Sequence, residues 1–192
     1  MSVLVAIKDK KRIVVGVDVR MSGGSSYVDS FNRRPKALHI DNKKDIIVGG
    51  VGNIALVDFF KEMIIDYSKA SDVYEIDRSL IVRYIVPELL CYVKDYSLYD
   101  NSNKYFDGAL FLAIRDKAYT IQGNYTVEEI DEYTAIGSGI DAAYGSLYTT
   151  KKFTLSPEQR IKIAIEATGS TINTVSQASM IGDTAGNLFR SS

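Results

Sequence analysis

The chain has 192 residues with 23 basic and 24 acidic side chains, so its formal net charge is -1. A hydrophobic fraction of 46% and a charged fraction of 24% predict one globular domain, residues 1–192, and exclude a disordered or low-complexity chain. The balanced charge argues against a nucleic-acid partner. One cysteine and one histidine exclude an internal disulfide and the usual multi-cysteine or multi-histidine metal sites. We therefore expect no metal site.

The N-terminal segment does not have the features of a signal peptide. Its apolar run covers only residues 3–7, and the positive charges follow that run instead of preceding it. No stretch reaches the roughly 18 apolar residues of a transmembrane helix. These patterns predict a cytoplasmic protein without a membrane partner.

The first part of the chain predicts strands. β-Branched runs at residues 3–7 and 13–19 flank a charged turn, which is typical of a buried hairpin. Residues 21–35 are small, polar and glycine-bearing, so we expect a loop or an edge strand. Residues 37–40 and 45–48 predict two more strands.

The apolar period then changes to that of helices. Apolar residues recur at three and four positions between Leu56 and Tyr67, and again between Leu80 and Val93. Pro87 lies inside the second run and should kink that helix or mark a new start.

Strand patterns return at residues 107–114, 118–121 and 133–136, and residues 139–148 predict a helix. Ser156 then precedes a proline and a glutamine with the spacing of a capping box, which predicts a helix to about residue 169. The last twenty residues have no clear pattern. Strands and helices are thus grouped rather than alternating, which favours a layered α+β fold.

Two glycine clusters, residues 50–55 and 137–142, match the pattern G-x-G-x-x-A. Each follows an apolar strand and precedes a helix, as in dinucleotide-binding proteins. The acidic strand end that this fingerprint requires about 20 residues later is missing. A dinucleotide site in a parallel sheet and a pair of tight strand-to-helix turns both remain open. Of the two single residues with reactive side chains, we expect His39 at the rim of a strand and Cys91 as inert core.

Ser2 becomes the N-terminal residue if Met1 is removed, which aminopeptidases do before small residues. An N-terminal serine carries a hydroxyl and an α-amine with a pKa of about 7.7–8.0. The neutral amine accepts the hydroxyl proton during nucleophilic attack. Very many proteins begin with Met-Ser, so Ser2 alone indicates nothing.

Several segments, in order along the chain, make Ser2 more informative. Asp18 lies 16 positions after Ser2, and Arg20 follows it. Together with Lys36, the glycine turn at residues 48–55 and the G-S-G…Y-G pattern at residues 137–145, this arrangement resembles the proteasome β-subunit and HslV-like family of N-terminal nucleophile (Ntn) hydrolases. The lysine is displaced by two residues from the family position.

The resemblance implies a fold and a chemistry. The fold is a four-layer αββα sandwich of two antiparallel sheets flanked by helices. The implied activity is that of a threonine/serine-type endopeptidase: Ser2 is the nucleophile, Lys36 the neighbouring cation, Asp18 the group that holds Lys36, and the N–H of Gly52 the oxyanion donor. By family position, the substrate pocket is lined by Met21, Ser22, Arg34, Leu38, Gly50 and Ile54.

The resemblance also implies partners: a peptide or unfolded-protein substrate, further copies of the chain in a ring, and a separate ATPase unfoldase. No cofactor is implied.

The chain departs from the family pattern around the N-terminal amine. Ile140 replaces the serine that usually follows G-S-G, and Ser176 stands where an aspartate belongs. Ser179 fits the family's late serine, and Ser138 and Asp141 are further candidates for an auxiliary role. These departures leave a second interpretation open, in which the chain is a catalytically inactive ring or scaffold subunit with the same fold.

Overall fold

The computed structural model describes residues 2–23, 26–29, 36–40, 43–70, 76–98 and 105–191. The strands within these ranges are β1 (Val3–Asp9), β2 (Arg12–Asp18), β3 (Arg20–Gly23), β4 (Ser26–Asp29), β5 (Ala37–Ile40), β6 (Lys43–Gly52), β7 (Gly108–Ile114), β8 (Lys117–Gln122), β9 (Val127–Glu129), β10 (Tyr133–Gly137), β11 (Ser179–Asp183) and β12 (Leu188–Ser191). The helices are α1 (Ile54–Ala70), α2 (Arg78–Leu80), α3 (Val86–Asp95), α4 (Ile140–Thr150) and α5 (Pro157–Thr171).

Two five-stranded antiparallel sheets form the centre of the molecule. The first has the order β10-β1-β2-β11-β12, and the second has the order β5-β6-β7-β8-β9. The predicted hairpin of β1 and β2 is confirmed, with Val5 opposite Gly16. β3 and β4 pair as a separate short hairpin. Every strand pair among the described residues is antiparallel, so the alternative of a dinucleotide site in a parallel sheet is wrong.

Side chains alternate along the strands and so build three apolar layers. Leu4 of β1 and Phe111 of β7 lie in the layer between the two sheets. Val5 points the other way and packs with Ile161 of α5. Phe60 of α1 packs on the outer face of the second sheet. Helices therefore cover both outer faces, and the predicted αββα sandwich is confirmed.

Local sequence signals explain where the helices begin. Ser156 caps α5 with a complete capping box, in which its hydroxyl accepts the N–H of Gln159. Pro87 is the second residue of α3. This helix begins directly after a π-helical turn at Ile81–Ile85. A proline lacks the N–H that would continue the α-helical bonds, so a changed bonding pattern before it is expected.

The structure corrects one expectation and adds to two others. Cys91 is exposed instead of buried in the core. Of the two alternatives for residues 21–35, the strand holds for residues 21–23 and 26–29, which lie on β3 and β4, and residues 30–35 lie outside the described residues. The C-terminal segment contains β11 and β12. The side chain of His39 lies outside the described residues. Among the helices of the described ranges, none is both long and apolar enough to cross a membrane.

Candidate active site

Asp18 is the centre of a buried hydrogen-bond cluster at the end of β2. Its side chain is only 1% exposed and accepts four hydrogen bonds. Oδ1 accepts Val3 N–H at 2.9 Å and Lys36 Nζ at 2.5 Å. Oδ2 accepts the backbone N–H groups of Arg20 at 3.1 Å and Ser176 at 3.3 Å. The carboxylate therefore joins four separate segments of the chain.

Lys36 lies directly before β5 and is positioned through its main chain and its side chain. Its carbonyl oxygen accepts the N–H of Gly50 at 2.8 Å, which ties Lys36 to β6. Its side chain is 12% exposed and pairs with Asp18. Burial lowers the pKa of Lys36, and attraction to Asp18 and then to Asp29 opposes this effect. A buried ammonium is thus held next to a buried carboxylate.

Ser2 is half-buried and lies at the start of β1. The amide that joins Ser2 to Val3 donates to the same Asp18 oxygen that accepts Lys36 Nζ. On the other side, the Ser2 carbonyl accepts the N–H of Ser138 at 3.0 Å and the Ser138 hydroxyl at 3.4 Å. The backbone at Ser2 therefore contacts Ser138 on one side and, through the Val3 amide, the Asp18–Lys36 pair on the other.

Gly137 and Gly52 occupy positions where only glycine fits without strain. Gly137 has φ +111, and a Cβ there would overlap the carbonyl oxygen of Ser2. Gly52 has φ +96 at the end of β6, where a Cβ would overlap the carbonyl oxygen of Asp107. Asn53 then caps α1 by accepting the N–H of Ala55 at 2.9 Å. The two glycine clusters are thus tight strand-to-helix turns.

The predicted substrate-pocket residues come from three strands and a helix. Met21 lies half-buried on β3, Gly50 is buried in β6, and Ile54 opens α1 with 39% exposure. Leu38 lies on β5 opposite Val48, and Ser22 lies on β3. The side chains of Leu38 and Ser22, and the whole of Arg34, lie outside the described residues.

The remaining predicted residues differ in their surroundings. Ser179 lies opposite Asp18 in the β2–β11 register and is fully buried. Within the described part of the chain, its hydroxyl has no hydrogen-bond partner. Asp141 is exposed in the first turn of α4. The structure links Ser176 to Asp29, whose carboxylate accepts the Ser176 hydroxyl at 3.0 Å.

Asp29 is the residue that the sequence analysis missed. Its carboxylate also accepts Arg20 Nε at 2.8 Å and Arg20 Nη2 at 3.1 Å. The Arg20 hydrogen bond is the main reason that the pKa of Asp29 is lowered; burial opposes it, and the hydrogen bond from Ser176 contributes. Ser176 follows Asp29 by 147 positions, so no local spacing could have indicated the contact.

Comparisons with known proteins give the family and the fold of the chain. A family model described as proteasome subunit matches residues 2–180. No curated protein sequence matches the chain.

Solved structures share the fold. BPH from Thiobacillus denitrificans superimposes with a TM-score of 0.72 at 19% identity, over 94% of this chain and 96% of that chain. The same protein in complex with epoxomicin gives a TM-score of 0.71 at 18% identity, over 94% and 97%. HslV from Trypanosoma brucei gives 0.71 at 16% identity, over 94% and 98%. At these identities the similarity shows the fold alone.

Proposed function

Because the chain belongs to the proteasome subunit family, we propose that it is a peptidase that cleaves peptide bonds with the hydroxyl of Ser2 as its nucleophile. One observation carries the proposal. A single buried oxygen of Asp18 accepts both the ammonium of Lys36 and the amide next to Ser2. This observation supports the proposal because the Lys36 ammonium and the amide that joins Ser2 to Val3 bind the same oxygen, and the Ser2 hydroxyl must become an alkoxide. The family relation alone supports a peptidase or an inactive relative.

The first chemical step forms an acyl-enzyme. After Met1 is removed, Ser2 Oγ attacks the scissile carbonyl carbon while the Oγ proton passes to the α-amine of Ser2, directly or through a water. The tetrahedral intermediate then collapses: the C–N bond breaks, and the α-ammonium gives its proton to the leaving amine.

The second step releases the product and restores the enzyme. The α-amine takes a proton from a water molecule, which attacks the ester carbon. Ser2 Oγ leaves and is reprotonated by the α-ammonium. No redox change occurs, and the net reaction adds one water molecule across the peptide bond.

Lys36 lowers the free energy of the developing alkoxide. A fixed positive charge in a site of low dielectric acts more strongly than in water, and its position costs no reorganisation during the reaction. Asp18 holds the ammonium in place. The Gly52 N–H is the proposed oxyanion donor, a role for which one donor typically contributes about 2.7–4 kcal/mol of transition-state stabilisation.

The substrate and partners follow from the same proposal. Met21, Gly50 and Ile54 come from segments next to the cluster and would contact the residue before the cut bond, together with Ser22, Arg34 and Leu38. The proposed substrate is a peptide or unfolded protein. The family forms rings and works with ATPases, so we propose self-association and an ATPase partner in the cytoplasm.

An inactive ring or scaffold subunit is the second candidate. It is favoured by Ile140 and Ser176, which replace a hydroxyl and a carboxylate at the positions that the family uses around the amine. Among the described residues, the buried hydroxyl of Ser179 has no hydrogen-bond partner, so Ser179 is the hydroxyl that we propose for a role at the amine if the chain is active.

An electrophilic peptide probe distinguishes the two candidates. The intact mass of the purified protein first shows whether Met1 is absent. The probe should then modify the processed protein once, and peptide mapping should place the adduct at Ser2. Ser2→Ala should remain unmodified. A processed protein that neither reacts with the probe nor hydrolyses peptides would support the inactive subunit.

A further inference from the structure

Asp29 and Asp18 both bind Arg20 and Ser176, but Asp18 binds their backbone and Asp29 binds their side chains. Asp18 accepts the backbone N–H groups of Arg20 and Ser176 at 3.1 and 3.3 Å. Asp29 accepts their side chains: Arg20 Nε and Nη2 at 2.8 and 3.1 Å, and Ser176 Oγ at 3.0 Å. Two carboxylates from different strands thus accept hydrogen bonds from the same pair of residues.

We propose that Asp29 is a positioning residue for the reaction. It binds the side chains of Arg20 and Ser176, whose N–H groups hold Asp18, and it brings a second negative charge to the hydrogen-bonded group that contains the Asp18–Lys36 pair. The part of this inference that concerns the reaction rests on the proposed function. The part that concerns the charge of Lys36 does not require turnover.

The pair that Asp29 holds is anchored on both sides. Arg20 Nη1 donates to the carbonyl of Asn173 at 2.6 Å. Ser176 Oγ accepts the N–H of Ala178 at 3.1 Å while it donates to Asp29. The β3–β4 hairpin is therefore attached to the segment that leads into β11. A change at Asp29 should loosen this attachment and, through it, the two N–H groups that hold Asp18.

The electrostatic part concerns the ammonium of Lys36. Burial lowers its pKa; Asp18 on β2 opposes this effect most strongly, Asp29 on β4 opposes it further, and the positive charge of Arg20 on β3 adds to it. Asp29 has a lowered pKa of its own, so it is ionised at neutral pH. Loss of its charge should make Lys36 lose its proton at a lower pH.

The position of Asp29 also gives Ser176 a role. At position 176 the family pattern has an aspartate, whereas this chain has a serine. The Ser176 hydroxyl donates to Asp29 at 3.0 Å, so the negative charge that is missing at residue 176 is supplied from β4. On this reading the departure at residue 176 relocates the carboxylate instead of removing it.

The test measures Lys36 directly. Trace acetic anhydride acetylates only neutral amines, so the acetylation of Lys36, followed by peptide mapping across pH, reports its titration midpoint. Asp29→Asn removes the charge and keeps the shape. Glu132→Gln is the matched control, because Glu132 also pairs with a cation, Lys151 at 2.7 Å, and its side chain is 45% exposed against 42% for Asp29.

In Asp29→Asn we expect the Lys36 midpoint to fall by about 0.5 pH unit or more, and in Glu132→Gln we expect no change. Asp29→Asn combined with Ser176→Asp should restore the midpoint, because it returns a carboxylate to the same place. A purely structural role would not produce this rescue. An unchanged Lys36 midpoint in folded Asp29→Asn overturns the proposal, whatever the turnover.

Measurements of turnover distinguish a failure of this proposal from a failure of the proposed function. If the parent hydrolyses peptides and Ser2→Ala does not, the alkaline limb of kcat/KM should move to lower pH in Asp29→Asn by the same amount as the Lys36 midpoint. An alkaline limb that does not move overturns the catalytic part for Asp29 alone. A parent as inactive as Ser2→Ala would contradict the proposed function, and a lowered Lys36 midpoint in that case still supports the charge role of Asp29.

Discussion

The carbonyl oxygen of Ser2 accepts hydrogen bonds from both the backbone N–H and the hydroxyl of Ser138, at 3.0 and 3.4 Å. The residue that directly follows β10 therefore positions the backbone of Ser2, which the proposed mechanism uses as its nucleophile. The contact depends on Gly137, whose φ of +111 and missing Cβ let the two segments approach.

Gly137→Ala should destabilise the protein and remove most of the peptidase activity. The new Cβ must move the Ser2 carbonyl, and an alanine at this φ is strained, so we expect a loss of about 1–3 kcal/mol in the free energy of unfolding. Urea denaturation and peptide hydrolysis measure the two effects. Gly145→Ala is the matched control, since nothing lies within 4 Å of the new Cβ in α4. It should increase stability by about 0.5–1 kcal/mol and leave activity unchanged.

Lys36→Ala should lower turnover by about 100-fold or more, because the cation beside the developing alkoxide is lost. The fold should survive, since Asp18 keeps three backbone N–H donors, those of Val3, Arg20 and Ser176. Initial rates on a peptide substrate and size-exclusion chromatography check the two parts. Lys151→Ala, which removes an exposed lysine, should match the parent. Parent-like turnover in Lys36→Ala would show that Lys36 has no part in the reaction.

Variants at the N-terminus test the nucleophile and the base separately. Ser2→Ala should be inactive, and Ser2→Thr should remain active, because the hydroxyl and the amine are kept and the added methyl only restricts the rotamers. Protein that retains Met1 should be inactive, because an amide nitrogen cannot accept the Oγ proton. Peptide hydrolysis by processed and unprocessed protein provides the measurement. Equal rates for the two forms would exclude the N-terminal amine as base.

The same mechanism has a pH signature. An α-amine with an ordinary pKa of about 7.7–8.0 becomes protonated as the pH falls, and the nearby Lys36 ammonium should move that transition to lower pH. The rate should therefore decrease on the acid side. It should also decrease on the alkaline side at a pH below the ordinary titration of lysine, because burial lowers the pKa of Lys36. A pH–rate profile of kcat/KM checks both limbs.

Asp183 should contribute stability that depends on pH. Burial would raise its pKa, but hydrogen bonds from Asn187 and from Arg12 outweigh burial, and its pKa is lowered. A lowered folded-state pKa gives stability that is present above the unfolded value of about 3.9 and is lost as the pH falls through the folded value. Asp183→Asn should therefore cost about 2–4 kcal/mol near pH 7, and this cost should begin to decrease as the pH falls below the unfolded value of about 3.9.

Urea denaturation of the parent and Asp183→Asn at several pH values checks this prediction. Asp66→Asn is the control, because Asp66 is 79% exposed in its pair with Lys69. A stability difference for Asp183→Asn that stayed constant down to pH 3 would contradict the assignment.

The sequence was most informative where one segment carries its own signal. The capping box at Ser156 and the β-branched hairpin of β1 and β2 depend on neighbours within a few residues, and both are confirmed. Cys91 shows the limit of this reasoning. Its apolar neighbours suggested a core position, but the buried residues of α3 are Leu89 and Val93, each two positions away, and residues two apart on a helix do not share a face.

Contacts that join distant segments could not be read from one chain. β11 has an alternating burial pattern in the structure. Gly182 and Asp183 lower the β-propensity of this segment, so the sequence alone does not indicate a strand there. Asp29 has no neighbour that indicates its role. Asp18 was found only through its spacing from Ser2 in a known family, and that resemblance does not include the partners that this chain gives its carboxylate.

The hydrogen bonds of Asp18 also determine at which stage of synthesis the proposed active site can form. Its carboxylate binds Val3 N–H near one end of the chain and Ser176 N–H, 158 positions after Asp18, near the other. Contacts of such high sequence separation form late, because the intervening chain must first be ordered. A nascent chain on the ribosome therefore has no complete Asp18 cluster until Ser176 has emerged. Under the proposed mechanism, the Ser2 hydroxyl therefore lacks its assembled surroundings while the protein is unfinished, and the proposed peptidase would not act on neighbouring nascent chains.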